Sequence, residues 1–208
     1  MVVLTLLILI KKNVKSDTSV FAYLKNIVEC VVFYMFNPRI LVKNTFDEAY
    51  INKPNGCVIV NEILYFTQKD NHCVTAYDIK KQRTIMSTDN TNKKFSFGRL
   101  GQIAEFNGEL YICDETNNKV WVLSLNLDFI KSISITEYNI FSISINKNYI
   151  AACGECSFSL FDRNYNKLYE SSGGGEYHGV CLNDDDYYLV NRLMHSIEKY
   201  TIKAGSVL

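Results

Sequence analysis

Residues 110–126 read LYICDETNNKVWVLSLN, in which the polar segment 114–119 separates an apolar run from a second, alternating run. In the second run Val120 and Val122 alternate with Trp121 and Leu123, a pattern typical of a strand with two different faces. The chain contains only 2 Pro but 14 Tyr and 12 Phe, a composition that favours strands over helical bundles. The stretch therefore predicts a strand, a polar turn and a second strand.

The same pattern recurs along the chain. Four tyrosines occupy the same place in it, separated by 46, 38 and 39 residues: Tyr65, Tyr111, Tyr149 and Tyr188. In each case the second run begins nine residues later, at Val74, Val120, Phe158 and Ile197. An earlier strand in each unit ends on an asparagine that suits the left-handed backbone of a tight turn, at Asn61, Asn107, Asn146 and Asn183. Constant spacing within units joined by variable connections indicates a repeated supersecondary structure.

A fourth strand is predicted in three of the units, at 83–87 (RTIMS), 129–135 (FIKSISI) and 167–171 (KLYES). Four antiparallel strands in about 40 residues is the period of a β-propeller blade. The sequence thus predicts an all-β protein, a β-propeller-like array of about four four-stranded antiparallel blades over 55–208, complete or incomplete. Residues 1–54 show no clear blade, and the apolar runs at 1–10 and 31–36 are candidates for the missing outer strand of the last blade.

One unit carries a family resemblance. Residues 98–129 resemble an NHL repeat, with Asp114, Asn117, Asn118 and Val120 at the motif positions. Where this unit has Asp114, the others have Gln68, Ala152 and Asn191, so the resemblance is strong in one unit and an outline in three. It implies a propeller that binds protein or RNA. Asp114 itself is predicted to be a structural turn residue that bonds neighbouring N–H groups.

Charge and cysteine content narrow the function classes. The 22 basic and 22 acidic residues cancel, which removes a global attraction for nucleic acid or anionic lipid. Seven scattered cysteines, an odd number, suit a reducing compartment, and we expect a cytoplasmic protein. The alternative to a cytoplasmic protein is that the apolar segment 1–10 is a targeting signal. It is about half the length that spans a bilayer, so no membrane span is expected.

Two side-chain sets are candidate sites. Cys153, Cys156, His178 and Cys181 combine a C-x-x-C with an H-x-x-C about 20 residues later, the spacing of a tetrahedral zinc site. Structural cysteines are the more economical interpretation, with Cys181 facing the core; a Cys153–Cys156 redox pair is another. The second set is a basic RNA or partner patch, interleaved with Phe95 and Phe97: Lys80, Lys81, Arg83, Lys93, Lys94 and Arg99.

No catalytic motif accompanies these sets. The chain has no G-x-x-x-x-G-K-[ST] phosphate loop and no H-E-x-x-H. The first expectation is therefore a non-enzymatic propeller that acts as a binding or scaffold module for a macromolecule, with protein favoured over RNA. The alternatives are a metal-dependent lactonase- or lyase-type propeller enzyme and a fragment of a larger propeller without independent function.

Overall fold

Antiparallel strands make up the protein in a computed structural model, which describes residues 51–88, 95–135 and 139–203. The chain divides into two compact units, Met1–Asp47 and Glu48–Leu208, and every described residue belongs to the second. The candidate outer strands at 1–10 and 31–36, like Cys30, lie outside the described residues. The described ranges contain no helix.

Unit one and unit two are separate four-stranded sheets with the strands in chain order. Unit one comprises β1 (Pro54–Val60), β2 (Ile63–Gln68), β3 (Cys73–Asp78) and β4 (Arg83–Ser87). Unit two comprises β5 (Leu100–Phe106), β6 (Glu109–Asp114), β7 (Lys119–Ser124) and β8 (Phe129–Ser134). Asn61 and Asn107 adopt positive φ angles of 49° and 53° in the first turns, as expected for asparagine there. The expectation is wrong for Asn146 and Asn183; in unit four the next residue, Asp184, has the positive φ, 52°.

Units three and four are joined through long strands. They comprise β9 (Ile140–Ile145), β10 (Tyr149–Asp162), β11 (Lys167–Asn183), β12 (Asp186–Asn191) and β13 (Ser196–Thr201), hydrogen-bonded in the order β13-β12-β11-β10-β9. β11 changes partner along its length: 167–176 pair with β10, and 177–183 pair with β12. Its first part is therefore the last strand of unit three, and its second part is the first strand of unit four.

β10 also serves two strand positions. Residues 150–154 pair with β9, whereas 155–161 pair with β11. A straight strand would separate Ile150 from Phe161 by about 36 Å, yet both belong to one core cluster. Cys156, between the two halves, has a φ of 62°. We conclude that the chain reverses around Glu155 and Cys156, the place at which the sequence predicts the turn between the second and third strands.

The core lies between neighbouring units. Trp121 and Leu123 pack in the cluster shared with unit one, and Val120 and Val122 pack in the cluster shared with unit three. All four side chains are buried, which confirms the prediction that both faces of this strand are covered. A third cluster joins units three and four. First strands contact in the pairs β1–β5, β5–β9 and β9–β11, so the units follow one another around an axis. The sheets formed by the described residues do not close into a ring.

The fold prediction is confirmed as an all-β array of propeller-like blades, with one correction. Tyr65, Tyr111 and Tyr188 are equivalent, because each lies three residues before the end of its second strand. Tyr149 is not equivalent to them. Ala151 pairs with Ser144 as Tyr111 pairs with Ala104, so the register of unit three differs by two residues. The reason is its shorter turn: only 155 and 156 separate the two strand segments, whereas four residues separate β6 from β7.

Candidate functional site: the turn surface

The turns between second and third strands and the segments that lead into first strands lie at one end of the array, which we call the turn surface. A backbone hydrogen bond of 2.8–3.0 Å joins the two parts in every unit. The bonds run from Lys69 to Lys53, from Glu115 to Arg99, from Glu155 to Asn139 and from Arg192 to Glu176. Because first strands lie innermost, these residues surround the axis at that end.

In unit two the turn is organised by Asp114, which is fully buried. Its carboxylate accepts hydrogen bonds from the backbone N–H of Gly98 (2.9 Å) and of Asn117 (3.0 Å). It also accepts from the Asn117 side chain (2.8 Å) and from the indole N–H of Trp121 (2.8 Å). Gly98 has no room for a Cβ, which would lie 2.6 Å from the Asp114 carboxylate. Four donors satisfy this carboxylate, so its geometry supports the structural role expected from the sequence.

Units one and four have an amide side chain at the position equivalent to Asp114. The amide donates a hydrogen bond to the third strand, whereas Asp114 accepts one from it. Gln68 donates to the Thr75 hydroxyl at 2.9 Å, and Asn191 donates to the Glu198 carboxylate at 2.7 Å. Thr75 and Glu198 each lie seven residues after the amide, as Trp121 lies seven residues after Asp114. The acceptor–donor pair of unit two thus becomes a donor–acceptor pair, and each arrangement satisfies its buried polar group.

Unit three has no such side chain. Gly154 pairs with Ile140 as Asp114 pairs with Leu100, so Gly154, not Ala152, occupies the position. A Cβ on Gly154 would lie 1.7 Å from the carbonyl oxygen of Asn139. Glycine is therefore required here by the close approach of the backbone.

The four residues of the predicted zinc site are distributed over different surroundings. Cys153 is buried in the core between units three and four, and burial raises the pKa of its thiol to about 12. Cys156 is exposed in the turn. The His178 ring lies 4.8 Å from that of Phe141. Within 51–88, 95–135 and 139–203, no three His, Cys, Asp or Glu side chains are close enough to hold a metal ion.

Cys181 is exposed, which corrects the expectation that it faces the core. It pairs with Tyr188 on one face of unit four, while Val180 and Leu182 point the other way, against unit three. The alternation was predicted correctly, but the face that carries Cys181 is open in this array.

Three polar side chains of unit four, Glu176, His178 and Arg192, form a cluster on the turn surface. Glu176 accepts hydrogen bonds from His178 and from Arg192, both at 2.8 Å. The bond from His178, together with the charge of Arg192, holds the pKa of Glu176 below its usual value. An open groove beside them is lined by His178, Asn191, Arg192 and His195 with Val190, Ser196 and Ile197. The groove combines apolar side chains with the guanidinium of Arg192, which is paired with Glu176.

The described residues of the predicted basic patch lie at two places. Lys80, Lys81 and Arg83 lie in and next to the turn between β3 and β4, where the two lysines pair with carboxylates at 2.6 and 3.1 Å. Arg99 lies on the turn surface of unit two, 3.9 Å from a carboxylate oxygen of Glu115. Lys93 and Lys94 lie outside the described residues. RNA binding stays a prediction.

The aromatic residues that were expected to accompany the basic patch belong to the core. Phe95 and Phe97 are buried and stacked, with 4.8 Å between their ring centroids. Phe97 also meets Trp121 edge-on at 5.1 Å. These rings are therefore engaged with unit two and are not presented to a nucleic-acid base.

A polar cluster between units two and three was not anticipated from the sequence. The Tyr111 hydroxyl donates to Glu109 (2.6 Å) and accepts from Arg163 (3.3 Å), with the Tyr165 hydroxyl 3.5 Å away. Burial and the bond to Glu109 raise the pKa of Tyr111. The Arg163 guanidinium lies 4.5 Å from the centre of the Phe106 ring. Because 52 residues separate Arg163 from Tyr111, no local pattern could reveal this contact.

Comparisons with known proteins identify the fold. No family model matches the chain, and no curated protein matches it. The computationally designed Ika4 protein superposes with a TM-score of 0.63 at 11% identity, over 75% of this chain and 95% of that one. The chain has a β-propeller-like fold. The Neurospora crassa Pan2 WD40 domain, another propeller, gives a TM-score of 0.52 at 12% identity, and the match covers 72% of this chain and 50% of that one.

A second designed protein, Ika8, gives a TM-score of 0.60 at 10% identity, over 72% of this propeller chain and 46% of Ika8. The chain thus spans about half the length of Ika8 and of the Pan2 domain. Identities this low show the fold alone. None of the described residues belongs to a helix able to cross a membrane.

Proposed function

We propose that the protein is a non-enzymatic propeller module that binds a protein partner through its turn surface. One observation carries the proposal: Leu193 and Met194, at the tip of the turn between β12 and β13, are 66% and 64% exposed. They are flanked by the exposed cationic side chain of Arg192 and by exposed His195. Methionine and arginine are enriched at protein interfaces relative to the rest of the surface, and methionine adapts to partner shape.

The turn is held in place before any partner arrives. The backbone N–H of Met194 donates to Asn191 (3.1 Å), and the N–H of Arg192 donates to the carbonyl of Glu176 (2.8 Å). The Arg192 guanidinium also bonds the Glu176 carboxylate. Because the backbone is already ordered, little conformational entropy is lost when a partner covers the apolar tip.

The cysteines and the repeat motif extend the proposal. All six described cysteines are free thiols, which suits a reducing compartment such as the cytoplasm. We also propose that 98–129 is an NHL-like repeat, since Asp114 and Asn117 make the turn contacts that its motif positions imply.

The test compares two double variants in affinity capture from an extract of the source cells. Leu193→Glu/Met194→Glu changes the turn tip, and Phe129→Glu/Ile130→Glu changes an exposed apolar pair on the outer strand of unit two. We expect a specific protein to be captured by the wild type and the outer-strand variant but not by the turn variant. Calorimetry with that protein, once purified, should repeat the difference.

Equal capture by both variants would refute the proposal. A partner that disappears after ribonuclease treatment would replace the protein partner with RNA. Circular dichroism of both variants shows whether the fold is retained, and the substituted side chains are exposed, so we expect it to be.

A further inference from the structure

One face of unit four is largely apolar and uncovered. Val190 pairs with Ile197, and Cys181 pairs with Tyr188, so the four side chains share this face. Lys199 pairs with Tyr188 on the same face, and its Nζ lies 5.8 Å from the centre of that ring. Val190 is 45% exposed, Ile197 is 72% exposed and Cys181 is exposed. We call these four residues the open face. Exposure of so much apolar surface is unfavourable, by about 25 cal/mol per Å² relative to burial.

The chain shows what covers the equivalent face elsewhere. Tyr65 and Tyr111, which are equivalent to Tyr188, are both buried. Tyr65 lies in the cluster shared with unit two, and Tyr111 lies in the cluster shared with unit three. In each case the covering surface is the opposite face of the next unit. The open face is therefore the first half of an interface that the protein already forms three times.

Part of the second half of that interface, its inner strand, is open on unit one. Cys57 and Ile59 point away from unit two, and Ile59 is 63% exposed. The positions equivalent to Cys57 in later units, Ile103, Ile143 and Val180, all pack against the preceding unit. On the same face of unit one but farther from the axis, Phe66 and Tyr77 are buried. The exposed part of this face is therefore its inner strand, β1.

We propose that two copies of the protein associate head to tail, with the open face of unit four in one copy packed on Cys57 and Ile59 of the other. A second copy presents the complementary half of this interface, and the zero net charge opposes self-association less than a large charge would. A head-to-tail contact between identical chains either closes into a ring or continues into an open filament. Two copies make a ring of eight units, within the range that propellers adopt.

The contact between units three and four predicts its geometry. The Ser144 hydroxyl of unit three accepts from the backbone N–H of Leu182 in unit four at 3.0 Å. Ser144 is equivalent to Cys181, and Leu182 is equivalent to Ile59. Cys181 should therefore lie beside Ile59 of the second copy. It should also lie close to Cys57, which precedes Ile59 by two residues on the same face of β1. Both thiols are exposed in a single chain, so they report on this contact.

The first test is the oligomeric state of the 208-residue chain, measured by sedimentation equilibrium over a range of concentrations. We expect a dimer. Ile197→Glu should weaken it about tenfold or more, because a charge replaces an apolar contact. Ile130→Glu, at an isoleucine that is 42% exposed and lies outside the open face and the inner strand of unit one, should leave it unchanged. A monomeric wild type, or equal weakening by both variants, would overturn the proposal.

The second test distinguishes head-to-tail from face-to-face packing. In a background with Cys30 and Cys156 replaced by serine, a short bismaleimide should crosslink two chains through Cys57 and Cys181. Either Cys57→Ser or Cys181→Ser should abolish the crosslink. A crosslink that survives in Cys57→Ser would show Cys181 meeting its own counterpart, which contradicts the head-to-tail arrangement. Neither test depends on the partner proposed for the turn surface.

Discussion

Replacing Asp114 with alanine should destabilise the protein through the donors that it leaves unsatisfied. Asp114 is 0% exposed and accepts bonds from Gly98, Asn117 and Trp121. Asn117 is exposed and can turn to water, but the indole N–H of Trp121 is buried and the N–H of Gly98 is partly buried. A buried donor without a partner costs about 1–3 kcal/mol. With the lost charge-assisted bonds, we expect a loss of about 3 kcal/mol in the free energy of unfolding.

The assay is urea unfolding followed by the fluorescence of Trp121, which is the chain's single tryptophan. With a slope of about 2 kcal/mol per M, the midpoint should fall by about 1.5 M. Asp70→Ala is the matched control, because Asp70 lies in the equivalent turn of unit one but is exposed, paired with Lys53. The control should shift the unfolding midpoint much less, because an exposed ion pair contributes little to stability.

Asp114→Asn keeps one acceptor oxygen, which can serve Gly98 and Trp121 if the amide group faces Asn117. We expect an intermediate loss, which keeps the test readable if the alanine variant does not fold. The reasoning would be refuted if Asp114→Ala and Asp70→Ala lowered the unfolding midpoint equally, since the buried donors would then have found other partners.

Three further predictions concern thiols, glycine and tyrosine. Alkylation without denaturant should label Cys156, which is exposed and lies outside the proposed contact between copies, and should spare the buried Cys73, Cys113 and Cys153, as read by peptide mass spectrometry; equal rates at all four would contradict the fold. Gly154→Ala should lower the unfolding temperature of the protein strongly, because the new Cβ would overlap the Asn139 carbonyl. Gly179→Ala, whose Cβ would have its nearest contact at 3.4 Å, should unfold at nearly the wild-type temperature. Calorimetry of both variants measures the difference. Burial raises the pKa of Tyr187 from 10.0 to about 12. The stability that the neutral Tyr187 hydroxyl contributes is therefore complete below pH 10. It is lost as the pH rises towards 12, because the unfolded chain releases the proton first. The urea midpoint should therefore fall less between about pH 9 and about pH 11 in Tyr187→Phe than in the wild type; an unchanged fall would contradict the burial of that hydroxyl.

The sequence by itself determined where the strands lie and which residues share a face. RTIMS at 83–87 matches β4 residue for residue, and the opposite orientation of Val120 and Trp121 follows from alternation. Turn chemistry also placed the left-handed Asn61 and Asn107. These features are local, since a few neighbouring residues suffice to specify a strand and its turn.

Only the tertiary structure decided the register of unit three, the partners of the buried polar groups and the coverage of unit four. A register shift of two residues keeps every side chain on its original face, so no apolar pattern could distinguish Ala151 from Tyr149. The bond from Arg163 to Tyr111 joins residues far apart in the chain. Cys181 was placed correctly on an alternating strand, but alternation states only that it points away from Val180. Which of the two faces is buried depends on whether another sheet lies against it, and that is a property of the whole array.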